Sequence, residues 1–185
     1  MIVQQLSLFD PKITVFDIAN YYLSKHDNIY HKRLQLLVYL TYGHSLVFFN
    51  EPEYLDTHFF NAEFESWVNF PCCRILYNKY KDYGSQYIEK YTGPLANFSS
   101  DELDLLEQVD DLYNDWTTNE LSFNYQHQKP YQKIKKYLTC NYVASNEIIK
   151  DEDIFDYFIN LYNDPDSLEH INNMNLFNQE YKNTI

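Results

Sequence analysis

Glycine is almost missing from this chain: among 185 residues only Gly43, Gly84 and Gly93 occur. A phosphate-cradling G-x-x-x-x-G-K-[ST] loop or a G-x-G-x-x-G dinucleotide turn cannot be built from glycines so far apart, so both devices are excluded. Basic residues are scarce as well. Lys and Arg number 14 against 27 Asp and Glu, giving a formal charge of -13 and a pI near 4.7. Such a chain repels a polyanion on average, which excludes a sequence-independent grip on nucleic acid and favours a basic protein as partner. The three cysteines form no disulfide framework, because Cys72 and Cys73 are adjacent and only Cys140 is distant. None of His26, His31, His44, His58, His127 and His170 pairs with another His or Cys at zinc-site spacing, so no metal and no cofactor is expected. There is no G-x-S-x-G elbow and no nucleophile–base–acid constellation, which reads as a protein that is not an enzyme. The longest uncharged stretch, 34–50, is broken by Gln35, Thr41, Gly43, His44 and Ser45. It is too short and too polar to cross a bilayer. With no basic-then-apolar start, the expected location is the cytoplasm.

What the chain does have is core material. Hydrophobic residues make up 45%, with 19 Tyr and 13 Phe, enough for one folded domain. Helical periodicity dominates. Thr14 and Asp17 stand as a capping box before a helix through Ser24, and a second, longer helix spans 30–48 with Leu34, Leu37, Val38 and Thr41 on one face. Leu36 and Leu40 widen that stripe, which places this helix at the centre of the domain. The aromatic stretch 54–67 lacks a helical period and predicts a short strand near 59–64. A helix with Ile75, Leu76, Tyr80 and Tyr83 follows Pro71 and stops at Gly84, and 85–98 reads as an irregular connection. Ser99 and Glu102 form the best capping box in the chain, opening a helix to Asp115 that buries Leu103, Leu106, Val109, Tyr113 and Trp116. Further helices are expected after Thr118, from Pro130 to Tyr137, over 151–161 and over 165–181, with a brief strand at Val143. The fold class is therefore mainly α, a single helical domain with a small β element. Residues 1–13 form an N-terminal leader and 14–185 the domain.

Three blocks occur in order along 14–158. The first is Asp17-Ile18-Ala19-Asn20-Tyr21-Tyr22-Leu23 followed by His31-Lys32-Arg33-Leu34-Gln35-Leu36-Leu37-Val38-Tyr39-Leu40. The second is Phe64-Glu65-Ser66-Trp67-Val68-Asn69-Phe70-Pro71 with Leu76-Tyr77, Tyr80-Lys81 and Tyr83-Gly84, and the third is Glu120-Leu121-Ser122 with Pro130-Tyr131. Together they resemble the Panacea antitoxin domain. The motif residues that carry the likeness are Lys32, Leu34, Gln35, Glu65, Trp67, Pro71 and Pro130. The chain departs from the family at Leu36, where a Lys is usual, at Phe70 in place of Gly, at Tyr125-Gln126 in place of Thr-His, and at Tyr131 in place of Trp. The resemblance implies a mostly helical antitoxin that neutralises a cognate toxin by direct protein–protein contact. It implies, as an alternative, a proteolytic adaptor that delivers a partner for degradation. A third reading, from another class, is an enzyme whose site is assembled from distant His and acidic residues; a convergent pocket with a strongly shifted His would favour it. The physics of the motif residues is mainly structural, with Gln35 among buried leucines expected to satisfy backbone groups.

Two features lie outside that likeness. Between Tyr91 and Gln128 there is no Lys or Arg, and at helical spacing Asp104, Glu107, Asp111 and Asp115 share one face. That face can serve a basic partner, or it can simply be solvated. The leader contains Gln5-Leu6-Ser7-Leu8-Phe9, which resembles the peptide with which bacterial proteins dock in the groove of the DNA polymerase sliding clamp. In such a peptide Leu and Phe fill apolar pockets while Gln bonds at the rim. Burial of the segment on its own domain is the competing reading. Cys72 and Cys73 stand near an expected helix start, where a thiol pKa is lowered, or else they are buried small core residues.

Overall fold

The structure is a computed structural model and describes residues 12–135 and 146–164. The chain enters through a two-residue strand, β1 (Ile13–Thr14), and turns at once into α1 (Val15–Lys25). The Thr14 side chain accepts from the Asp17 amide while the Asp17 carboxylate accepts from the Thr14 amide, so both orphan donors of the first turn are satisfied. Asn28, with φ of 63°, reverses the chain into α2 (His31–Phe49).

Helix α2 is the axle. Residues 34–47 are buried without interruption, and α1, α3, α4, α5 and α7 all pack on it. Its end is fixed by Asn50, which donates to the Leu46 and Thr57 carbonyls and accepts from the Thr57 amide. The expected strand near 59–64 is two strands. β2 (Phe60–Asn61) pairs in parallel with β1, and β3 (Phe64–Ser66) pairs antiparallel with β4 (Pro71–Cys73), Phe64 opposite Cys73. Ile13, left in the leader by the sequence, is therefore part of the fold, buried opposite Phe60.

Pro71 opens a strand, not a helix; α3 (Arg74–Tyr80) begins three residues later and a 3-10 turn carries it to Gly84, with φ of 54°. Ile75 is 53% exposed, so the helical stripe read through it is not the buried one; Leu76 and Tyr80 are. The connection over 85–98 is irregular and is tied to α1 and the loop before α2 by the Tyr91 amide to Leu23 and the Ile88 amide to Ile29.

α4 (Ser100–Tyr113) starts at the Ser99–Glu102 capping box. Its core face carries Leu105, Leu106, Val109 and Tyr113; Leu103 is 39% exposed and Trp116 half-buried, a correction to the expected stripe of one helical position. α5 (Thr118–His127), α6 (Lys129–Lys135) and α7 (Asp151–Asn163) complete the described chain. Residues before α7 run beside β3, the Ser66 amide bonding Glu147 and the Ile149 amide bonding Phe64. The described buried apolar residues other than Cys72 form one cluster with members from every α-helix and strand. The fold is mainly α with a small β element. The expected helix over 165–181 and the strand at Val143 lie outside the described residues.

Candidate functional site

Helix α4 lies against α2 with one face and turns the other outward. Asp104, Glu107, Asp111 and Asp115 are all exposed. Asp115 lies just past the last helical residue, Tyr113, and its cap Asn114. The neighbouring acid Asp110 faces inward, where it meets His26, the C-cap of α1, at 2.6 Å. Glu107 has a loose partner in Lys25, at 3.4 Å; among the described residues Asp104, Asp111 and Asp115 form no ion pair. Among the described residues the stretch 91–128, without cations of its own, meets Lys25 of α1 and Arg33 of α2. Arg33 of α2 donates to the carbonyls of Tyr113, Asn114 and Trp116, holding the C-terminal end of α4, where cations and donors are favoured.

Beyond that end the chain restarts as α5 through a Thr117–Glu120 capping box. The turn and the outer face of α5 form a groove of about 830 Å³, lined by Asp115, Trp116, Glu120, Phe123, Asn124 and His127 among others. Phe123 is 65% exposed; its ring meets that of His127 at 4.1 Å, and His127 Nδ1 donates to the Phe123 carbonyl at 2.7 Å. Hydrogen bonds from Thr117 hold the Glu120 carboxyl below its usual range, so it is ionised at neutral pH. The sequence shows the four carboxylates but not the groove, because Trp116 reads as core and nothing in the spacing marks Phe123 as exposed.

The motif residues lie elsewhere. Gln35 is fully buried and its amide is completely used: Nε2 donates to the Cys73 carbonyl and to His31 Nε2, each at 3.2 Å, and Oε1 accepts from the Cys73 amide at 2.9 Å. It welds the β3–β4 hairpin to α2. Glu65 accepts from Trp67 Nε1 at 2.9 Å and from Arg74, whose guanidinium also lies over the Trp67 ring at 5.1 Å. The Trp67 ring packs against both Phe70 and Tyr77, and His31 packs on Phe70 and Tyr77. Pro71 sits opposite Ser66 at the hairpin mouth, Leu34 is core, and Pro130 is buried in the first turn of α6. Lys32 is half-buried, and burial pulls its ammonium below the ordinary value. Gln35, Glu65, Trp67 and Pro71 thus form one structural clamp on the hairpin.

A second cavity, of about 460 Å³, is one the sequence does not show, since its residues come from positions 42 to 151. Asp151 accepts from the Tyr42 hydroxyl and from His58 Nε2, both at 3.0 Å, with Asn61, Glu63 and Cys73 nearby in the lining. Cys72 and Cys73 both lie in β4, and Cys73 is also the N-cap of α3, at the helix start the sequence suggested. Burial pushes the Cys72 thiol up to about 12 and raises Cys73, so neither is an activated nucleophile. The strongly shifted imidazole is His44, driven down to about 3 by complete burial between Tyr113 and Tyr162. It is in the core, not in the cavity. Among the described residues no group of three or more His, Cys, Asp or Glu could hold a metal ion, and no helix is long and apolar enough to cross a membrane. The peptide Gln5, Leu6, Ser7, Leu8, Phe9 lies outside the described residues, as do Cys140 and His170.

Compared with known proteins, the chain matches no family model, no curated protein and no solved structure.

Proposed function

We propose that this protein is an antitoxin that neutralises a cognate toxin by binding it directly, acting in the cytoplasm and without catalysis. The observation that carries the reading is the outward face of α4. Asp104 and Asp111 on this face, and Asp115 just past its end, are exposed and form no ion pair among the described residues. Like charges at i and i+4, such as Glu107 and Asp111, cost a few tenths of a kcal/mol in a helix, so the face is held against a small local penalty. A basic toxin would remove that penalty and gain association rate from it. The ordered motif blocks support the same reading, and several of their residues hold the β3–β4 hairpin on α2.

The test is co-expression with the product of the neighbouring gene. The pair should co-purify and growth should be rescued; Glu107→Lys with Asp111→Lys should leave folding intact and weaken the complex, whose affinity should fall as salt rises. A toxic neighbour that never binds would end the reading. A neighbour that is rescued only while a cellular protease is intact would replace occlusion by proteolytic delivery. The leader peptide is proposed separately as a sliding-clamp ligand. Leu8→Ala with Phe9→Ala should abolish clamp pull-down at unchanged melting temperature; a large loss of stability instead would assign both side chains to the core.

A further inference from the structure

We propose that the groove between the end of α4 and α5 receives an arginine-bearing segment of the partner, the guanidinium lying across the Phe123 ring between Asp115 and Glu120; this rests on the binding reading above and gives it a chemistry.

The groove combines features that neither a purely apolar nor an acidic ligand would satisfy. Phe123 offers a large ring to solvent, braced from one side by His127, with no other ring contact among the described residues. Such a ring attracts a cation over its face. Among the described residues Asp115 forms no ion pair, and Glu120 is fixed in its capping box with its charge retained. An apolar ligand would desolvate these two carboxylates without pairing them, which is unfavourable. An acidic one would meet them and the α4 stripe head on. On the protein's own side, Arg33 faces the carbonyls of Tyr113, Asn114 and Trp116 and is committed to them. A guanidinium is planar, so it can stack on a ring and still direct its edge donors to carboxylates, which an ammonium cannot do as well. The volume, about 830 Å³, accommodates a turn of chain with its side chains. The stripe of Asp104, Glu107 and Asp111 then continues as a track for further basic residues.

The probe is a short capped peptide of arginine and leucine, titrated calorimetrically into the full chain beside lysine–leucine, arginine–serine and glutamate–leucine versions. The arginine–leucine peptide should bind, the lysine version several-fold more weakly, and the glutamate version not at all. Phe123→Ser should weaken the arginine complex about tenfold at unchanged melting temperature. Asp115→Asn with Glu120→Gln, which keeps the capping box, should do the same and flatten the salt dependence. Absence of arginine-peptide binding, or equal affinity for the parent and Phe123→Ser, overturns the proposal. The same variants offered to the co-expressed neighbour separate the two claims. A neighbour held equally by parent and Phe123→Ser removes the groove and leaves the antitoxin reading. Peptide discrimination with no neighbour binding does the reverse.

Discussion

Helices α2 and α4 pack on each other and differ in almost every other respect. Of the 19 residues of α2, 15 are buried; of the 14 in α4, five are. Polar groups on α2 are therefore costly unless paired, and they are paired: Gln35 with Cys73 and His31, Thr41 with Tyr22 and the Leu37 carbonyl, His44 with two tyrosines. Polar groups on the outer face of α4 have water and need no partner. The contrast separates residues that specify the fold from residues free to serve a ligand. A substitution on α2 should register in stability, and one on the outside of α4 should register in binding alone.

The largest effect is expected at Gln35. Gln35→Ala removes three buried hydrogen bonds and leaves the Cys73 amide stranded beside a new cavity. A loss of about 3–5 kcal/mol is expected, combining the unsatisfied amide with the missing volume. Urea unfolding measures it. A loss under about 1 kcal/mol would mean that the hairpin is not held by this side chain.

The next effect is on acid stability. Burial lowers the pKa of His44 to about 3, and lowers that of His31, from the ordinary 6.5. The unfolded chain then takes up protons that the folded one refuses, so the stability is complete above about pH 6.5 and is lost as the pH falls. His31 has a further reason to stay neutral, since its Nε2 accepts from Gln35. His44 alone should remove about 2 kcal/mol between pH 6.5 and roughly pH 5. Urea midpoints across that range should fall, less steeply in His44→Gln; a flat profile in the parent would contradict the burial.

How much of this contrast was legible in the sequence differs between its two halves. α2 could be read almost completely, because an apolar run with Gln35 inside it leaves few places to go. The capping boxes at Thr14 and Ser99 placed two helix starts to the residue. The acids of α4 were legible as a face, since helical spacing alone puts them together. What could not be read depends on long-range contact. Leu103 and Leu105 are both leucines, and only the position of α2 decides which is buried. The groove needs the break after Tyr113, the Arg33 cap and the restart at Thr117, which come from two distant parts of the chain. The cavity at His58 and Asp151 joins residues 93 positions apart, with no local signal at either.

A smaller effect belongs to Gly43, where α2 lets α7 approach. A Cβ added there would lie 2.1 Å from the Phe158 ring, which is itself fully buried. Overpacking of this kind costs about 1–3 kcal/mol, and the better helix propensity of alanine returns about 1. Gly43→Ala should therefore lower the stability by about 1 kcal/mol net, and Gly43→Ala with Phe158→Leu should recover part of it. A more stable Gly43→Ala would show that Phe158 moves aside freely and that the α2–α7 contact is loose.

The smallest effect on folding is the most informative for function. Asp104→Asn, Asp111→Asn and Asp115→Asn together remove three exposed charges that have no ion-pair partner among the described residues. Surface changes away from caps and cores stay within about 0.5 kcal/mol, and relief of repulsion along α4 should make this one neutral or slightly stabilising. The capping box at Ser99 and Glu102 is untouched, as is the Asp110–His26 pair beneath the face. Thermal melting of the triple variant should therefore overlay that of the parent. Its affinity for a basic partner should fall by about tenfold at low salt and converge with the parent's at high salt, where the charges are screened. A triple variant that unfolds would place these carboxylates in the scaffold with Gln35. One that folds and binds as tightly as the parent would return the face to water.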